Sequence, residues 1–132
     1  PYRRQRQMCI RDSISDDKFT NLAGKTGIKD MMELFRRSDI VLAPDSGSAH
    51  VARAVGIPAV ISIFCCTPPA MYGPFGDDKK YFAIDGKLQC QPCHTRKCPL
   101  IGPGAEQCVN YPKPEEIINI VNNLLQNAKH SV

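Results

Sequence analysis

Two uninterrupted apolar runs of strand length, residues 39–43 (Asp-Ile-Val-Leu-Ala) and 59–64 (Ala-Val-Ile-Ser-Ile-Phe), flank one short helical segment. Such runs lack the polar alternation of a half-exposed strand and predict parallel strands covered on both faces. Pro44-Asp45-Ser46-Gly47 breaks the first run, and a helix is predicted over residues 48–55, stopping at Gly56 with Pro58 just beyond. Strand, helix and strand at this spacing form a right-handed βαβ unit, so the expected fold is α/β, a Rossmann-like parallel sheet with flanking helices.

The flanking sequence extends this pattern. Residues 19–24 predict a short strand or strand end closed by Gly24, and Thr26 can cap a helix over residues 29–37. Met31, Leu34 and Phe35 mark the buried face of that helix, with Ile28 and Met32 alongside. Residues 65–80 read as a Pro- and Gly-rich loop, 81–84 as a short strand, and 88–111 as a Cys-rich loop. A final helix is predicted over 113–129, with Pro114 in its first turn and Glu115 and Glu116 at the positive end of its dipole. Ile117, Ile118, Val121, Leu124, Leu125 and Ala128 form its apolar stripe, and Lys129 ends it. A length of 132 residues predicts one globular unit, and no run of eighteen or more apolar residues occurs.

The first thirteen residues stand apart. Arg3 to Ser13 read Arg-Arg-Gln-Arg-Gln-Met-Cys-Ile-Arg-Asp-Ser, which is the translation of a widely used transposase-type sequencing adapter. Residues 1–13 are therefore treated as adapter-derived, and the native sequence is expected to be residues 14–132, entering mid-gene near Ile14. The net charge of +4 depends on this segment, because removing its four arginines and Asp12 leaves about +1. No basic case for a nucleic-acid partner survives.

Chemistry concentrates where the first apolar run ends. Ligands of open parallel sheets bind at the carboxyl ends of strands, where helix N-termini direct free N–H groups outward. Asp45, Ser46, Gly47, Ser48 and His50 occupy such a place. Gly47 lets backbone approach a ligand, the serines add hydroxyl donors, and the helix dipole favours an anion, so the segment suits a pyrophosphate. A second reading is equally open at this point: Asp45 and Ser46 as helix caps, and His50 as a surface histidine.

The segments Asn21-Leu22-Ala23-Gly24-Lys25-Thr26, residues 38–50 and residues 54–60 resemble, in the same order, the carboxyl-terminal domain of the heptosyltransferases, glycosyltransferase family nine. The resemblance covers residues 21–125 and includes the Cys-x-x-Cys stretch and the closing Lys-Pro-Glu-Glu helix. It implies the C-terminal, donor-binding half of a two-domain GT-B enzyme. Asp45, Ser46, Gly47, Ser48 and His50 would line the diphosphate and sugar of a donor such as ADP-heptose, with the backbone at Gly24 and Lys25 near the adenine. It further implies inverting transfer to a lipopolysaccharide-core acceptor held by a missing amino-terminal domain, which would also supply the general base. No cofactor is implied for catalysis. The fragment alone is expected to be inactive, and the intact enzyme cytoplasmic, with peripheral association at the inner face of the inner membrane. Three positions depart from the family pattern: Cys65 and Cys66 replace the Gly-Pro of Phe-Gly-Pro-Thr, giving Phe64-Cys65-Cys66-Thr67, and Ser48 stands where Pro, Leu or Ala is common.

Cys90, Cys93, Cys98 and Cys108 are spaced x2, x4 and x9. Four thiolates including a C-x-x-C suit structural zinc, whereas free or loosely paired thiols are the alternative. Two other functions therefore stand beside the transferase. One is a metal-binding interaction module organised by these cysteines, and the other is a nucleotide-sugar epimerase of similar two-domain build.

Overall fold

A computed structural model describes residues 19–74, 78–95 and 97–129 of the chain; the adapter-like segment and Ile14 lie outside these. By packing, the chain divides into two compact units, Pro1–Met31 and Met32–Val132, where its length predicts one. In the first unit, residues 19–31 bury no side chain fully.

The strand expected at residues 19–24 is not formed. Asn21 turns its side chain on its own backbone, with Oδ1 accepting from the Ala23 N–H at 3.0 Å, and the Lys25 N–H closes a turn on the Leu22 carbonyl at 3.0 Å. Local side-chain bonds of this kind compete with strand pairing. Helix α1 spans Ile28–Arg36. Its first turn is closed by Asp30, whose Oδ2 accepts from the Gly27 N–H at 2.9 Å, so Asp30 takes the capping part expected of Thr26. The apolar face is less covered than its spacing predicts: Ile28 is 65% exposed and Leu34 41%. In the second unit, Phe35 packs on the core, and Glu33 pairs with Arg37 at 2.8 Å on the outside of the helix.

The second unit holds β1 (Ile40–Pro44), α2 (Gly47–Ala54), β2 (Ala59–Ile63), a one-turn helix α3 (Pro69–Tyr72), β3 (Tyr81–Ile84) and α4 (Pro114–Lys129). The sheet order is β1-β2-β3 and all pairings are parallel, from Ile40↔Ala59 to Pro44↔Ile63 and from Val60↔Tyr81 to Ile63↔Ile84. This is the α/β arrangement expected of the sequence.

The core lies between the sheet and α2. Val41, Ala43 and Val60 meet Ala49, Ala52 and Ile57, with Phe35, Val55 and Tyr81 packed around them. Two alanines on the inner face of α2 bring the helix axis close to the strands. β2 is paired on both edges and buried throughout, apart from its half-buried last residue, Ile63. β1 differs from expectation, because Leu42 is 51% exposed and only Val41 and Ala43 point inward. An apolar run signals burial but does not report how many faces are covered. The same holds for α4, where Ile118 and Leu125 are exposed while Ile117, Val121 and Leu124 are half-buried.

After β2 the chain passes through α3 and reaches Gly73. A Cβ there would stand 2.6 Å from the Pro69 carbonyl oxygen and 2.9 Å from the Tyr81 Oη. Among the described residues no helix is long and apolar enough to cross a membrane.

Two register partners on the face of the sheet away from α2, Ile61 on the central strand and Leu42 on the edge strand, give a direct test. Ile61→Ala, at a fully buried position, should lower the unfolding free energy by about 2–5 kcal/mol in urea titrations. Leu42→Ala should cost less than about 1 kcal/mol, since surface truncations have small effects. Equal losses would mean that this face is covered as far as the edge strand β1.

Candidate donor site at the carboxyl edge of the sheet

Parallel pairing brings the carboxyl ends of β1 and β2 side by side. The ladder runs one residue past β1, with the Asp45 N–H donating to the Ile63 carbonyl at 3.0 Å, and the Phe64 N–H continues it to the Ile84 carbonyl at 2.8 Å. The loop after β1 (Asp45, Ser46) and the loop after β2 (Cys65, Cys66, Thr67) therefore share one edge of the sheet.

The Thr67 hydroxyl donates to Asp45 Oδ2, closing a bridge between these loops. Ser46 donates to the Pro44 carbonyl at 3.3 Å and lies 2.7 Å from the Ser48 Oγ. Because Ser46 has a single hydroxyl proton, the proton between the two serines belongs to Ser48 while that bond lasts. Ser46 occupies the N-cap position of α2, yet it makes no side-chain cap bond. Its hydroxyl thus serves its neighbours rather than the helix, and the capping alternative does not describe it. The first N–H groups of a helix have no acceptor within it and carry its positive end.

His50 is exposed, one turn into α2 and three residues after Gly47. Helical side chains lean toward the N-terminus, which places its imidazole on the side of the open helix end. At Gly47 a Cβ would meet nothing within 4 Å, so folding itself does not require glycine there. Asp45, Ser46, Gly47, Ser48 and His50 are thus brought together. Gly24 and Lys25 sit in an exposed turn of the first unit, with Gly24 in the left-handed region at φ +74°.

Thr67 is the member of this group that sequence reasoning missed. Its only signal was its place in the Phe-x-x-Thr segment that ends β2. Beside it, burial pushes the Cys65 thiol up, as does a neighbouring charge on Cys66; Cys108 partly offsets this, and Asp45 adds to it. Cys90, Cys93, Cys98 and Cys108 line a cavity of about 240 Å³ that also touches Cys65 and Cys66.

The profile of glycosyltransferase family 9 (heptosyltransferase) matches residues 4–102. The chain belongs to this family. The family match begins inside the adapter-like segment and stops ahead of Cys108 and α4. The chain is similar to the lipooligosaccharide heptosyltransferase 2 of Campylobacter jejuni, 31% identical over 112 residues, which cover 84% of this chain and 33% of that protein. The lipopolysaccharide core heptosyltransferase OpsX of Haemophilus influenzae is 41% identical over 58 residues, 44% of this chain and 16% of that protein. The chain thus spans a third or less of the length of the curated relatives it matches. No solved structure matches it. The family 9 assignment drawn from the resemblance over residues 21–125 is borne out, and so is its α/β fold.

Gly47→Ala separates folding from ligand approach. In thermal and urea unfolding the variant should be as stable as the parent, or more stable by up to about 1 kcal/mol, because alanine favours a helix over glycine. A loss of stability would show that the glycine serves the fold instead.

Proposed function

We propose that this chain is the donor-binding part of an inverting glycosyltransferase that transfers heptose from ADP-heptose to a lipopolysaccharide-core acceptor. The observation that carries the proposal is the start of α2. Its free N–H groups, with no cap bond from Ser46, open at the carboxyl edge of the sheet beside Ser46, Ser48, His50 and the Thr67-bound Asp45. An anion placed there meets backbone donors, hydroxyl donors and the positive end of a dipole. A nucleoside diphosphate is the leaving group of such a transfer, and its departure concentrates negative charge at the phosphates. The names of the Campylobacter and Haemophilus relatives support heptose as the sugar and a lipopolysaccharide-type glycan as the acceptor.

In this reading the α2 N–H groups bind the diphosphate, the Ser48 hydroxyl leaves Ser46 to donate to it, and His50 donates from the helix end. Asp45, oriented by Thr67, meets the sugar side of the donor. The family resemblance alone assigns the backbone of Gly24 and Lys25 to the adenine. The base that deprotonates the acceptor hydroxyl, and the acceptor site itself, belong to the part of the enzyme that this chain does not span. This chain alone then binds donor without turning it over. The reaction uses no further cofactor and no nucleic acid, and the enzyme works at the cytoplasmic face of the inner membrane, bound peripherally.

The test uses steady-state kinetics of the full-length enzyme and calorimetric titration with ADP. His50→Ala should lower kcat by roughly 10²–10³, the usual loss for one well-placed donor in a charged transition state, and Asp45→Ala should lower turnover through loss of the acceptor on the sugar side. Lys25→Ala should cost less than about 1 kcal/mol, as surface truncations do. Gly47→Val should weaken ADP binding most, its branched side chain filling the space of the phosphates. Thr67→Val should reduce turnover roughly tenfold, the worth of one charge-assisted hydrogen bond. If His50→Ala and Gly47→Val both bind and turn over like the parent, the start of α2 holds no donor.

A further inference from the structure

Every described cysteine of the chain lines one cavity. Cys65 and Cys66 come from the end of β2, and Cys90, Cys93, Cys98 and Cys108 from the segment between β3 and α4. The two stretches are fastened together. The Gln91 side-chain amide donates to the Cys65 carbonyl at 2.6 Å, the His94 N–H donates to the Cys66 carbonyl at 2.8 Å, and the His94 ring lies 5.2 Å from that of Tyr72.

The described residues of 88–111 have no core of their own. Their described part contains two short 3₁₀ turns, no α-helix or strand, and no fully buried side chain. Apolar burial therefore does not hold this loop in shape, and a bound ion is the usual substitute in small Cys-rich segments.

Two of its sulfurs already take part in hydrogen bonds of the kind that favour a thiolate. The Glu106 N–H donates to Cys98 Sγ at 3.2 Å, and Cys93 Sγ lies 3.3 Å from the Thr95 hydroxyl. Donors of this kind orient metal ligands and offset their charge.

We propose that the loop binds one thiophilic divalent cation of the zinc type through Cys90, Cys93, Cys98 and Cys108, with the Glu106 N–H and the Thr95 hydroxyl as supporting donors. Four thiols release four protons to solvent as one M²⁺ enters, leaving a tetrathiolate centre of charge −2, and no atom changes oxidation state. Among the described residues no three His, Cys, Asp or Glu side chains are close enough to hold an ion without moving. Binding therefore draws the sulfurs inward and orders the loop as it proceeds. Cys65 and Cys66 stay outside the ligand set and form the wall toward Thr67. This proposal does not depend on the donor-site reading, since either can fail alone.

The experiment takes the 132-residue chain, purified anaerobically and reduced, and titrates it with Zn²⁺ and separately with Co²⁺. One equivalent of each should bind, and Co²⁺ should give the charge-transfer absorption of a thiolate complex. Iodoacetamide footprinting of the zinc-loaded chain should leave Cys90, Cys93, Cys98 and Cys108 unmodified while Cys65 and Cys66 react. Cys93→Ser and Cys108→Ser should each weaken zinc binding by more than about 100-fold, beyond the 10–100-fold seen when only an outer-shell partner is lost. His94→Ala should leave it unchanged. Cobalt bound without thiolate absorption, footprints unchanged by zinc, or protection that includes Cys65 or Cys66 would each overturn the proposal. So would isolation of the metal-free chain with these four cysteines joined in disulfides. Footprinting is done on the unsubstituted chain, so a serine variant that fails to fold does not decide the outcome.

Discussion

The parallel ladder between β1 and β2 sets the frame on which the candidate site is assembled. Its register ends at Pro44↔Ile63 and is carried one step further by the Asp45 N–H. That step fixes the level at which both chains leave the sheet, and so which loop residues can meet. Asp45 reaches Thr67 because their strands stop together, and a register slip of one residue would turn inward-facing side chains to the opposite face. The cradle at α2 is set by the same ladder. Ala49 and Ala52 seat the helix on β1 and β2, and its open end comes to rest above the strand ends.

The chain thus uses two means of holding shape. From Ile40 to Phe64, buried aliphatic side chains and backbone pairing suffice, with Val60, Ile61 and Phe64 almost wholly withdrawn from solvent. Among the described residues from Leu88 to Tyr111 there is no such interior, and polar bonds join neighbouring turns: the Leu88 N–H to Gln91 at 2.9 Å, and the Gln107 side-chain amide to the Pro103 carbonyl at 2.6 Å. The boundary between the two regimes falls at Cys65 and Cys66, where the family pattern has a Gly-Pro turn. The bonds from Gln91 and His94 to these two carbonyls steady a loop end that has lost its proline.

Much of this architecture was legible in the residues. β1, α2, β2, β3 and α4 fall within a residue or so of the expected bounds, because continuous apolar runs, Gly56 and Pro114 punctuate the chain strongly. Coverage of faces was not legible. Leu42 and Ile118 satisfy the apolar period as well as Val41 and Ile117 do, and only the packed chain decides which of them meets a neighbour. The strand expected near residue 20 was lost to the side chain of Asn21, a local competitor that apolar pattern ignores. At the site, the strand-end position pointed to Asp45, Ser46, Gly47, Ser48 and His50 together. Thr67 was hidden because its bond to Asp45 joins residues 22 apart, through loops with no period of their own. The meeting of Cys65 and Cys66 with the later cysteines was hidden for the same reason.

Gly73 carries a consequence for how this family can drift. A first side-chain carbon at that position would collide with the Pro69 backbone and the Tyr81 ring at once. Any change of this codon to another amino acid adds that carbon, and no milder replacement lies along the way. A lineage that gives up the glycine must therefore first rebuild the Pro69 turn and shorten or swing the Tyr81 side chain. Positions 69 and 81 can vary while the glycine stays, but a sequence that has lost the glycine marks a chain whose α3-to-β3 passage has been rerouted.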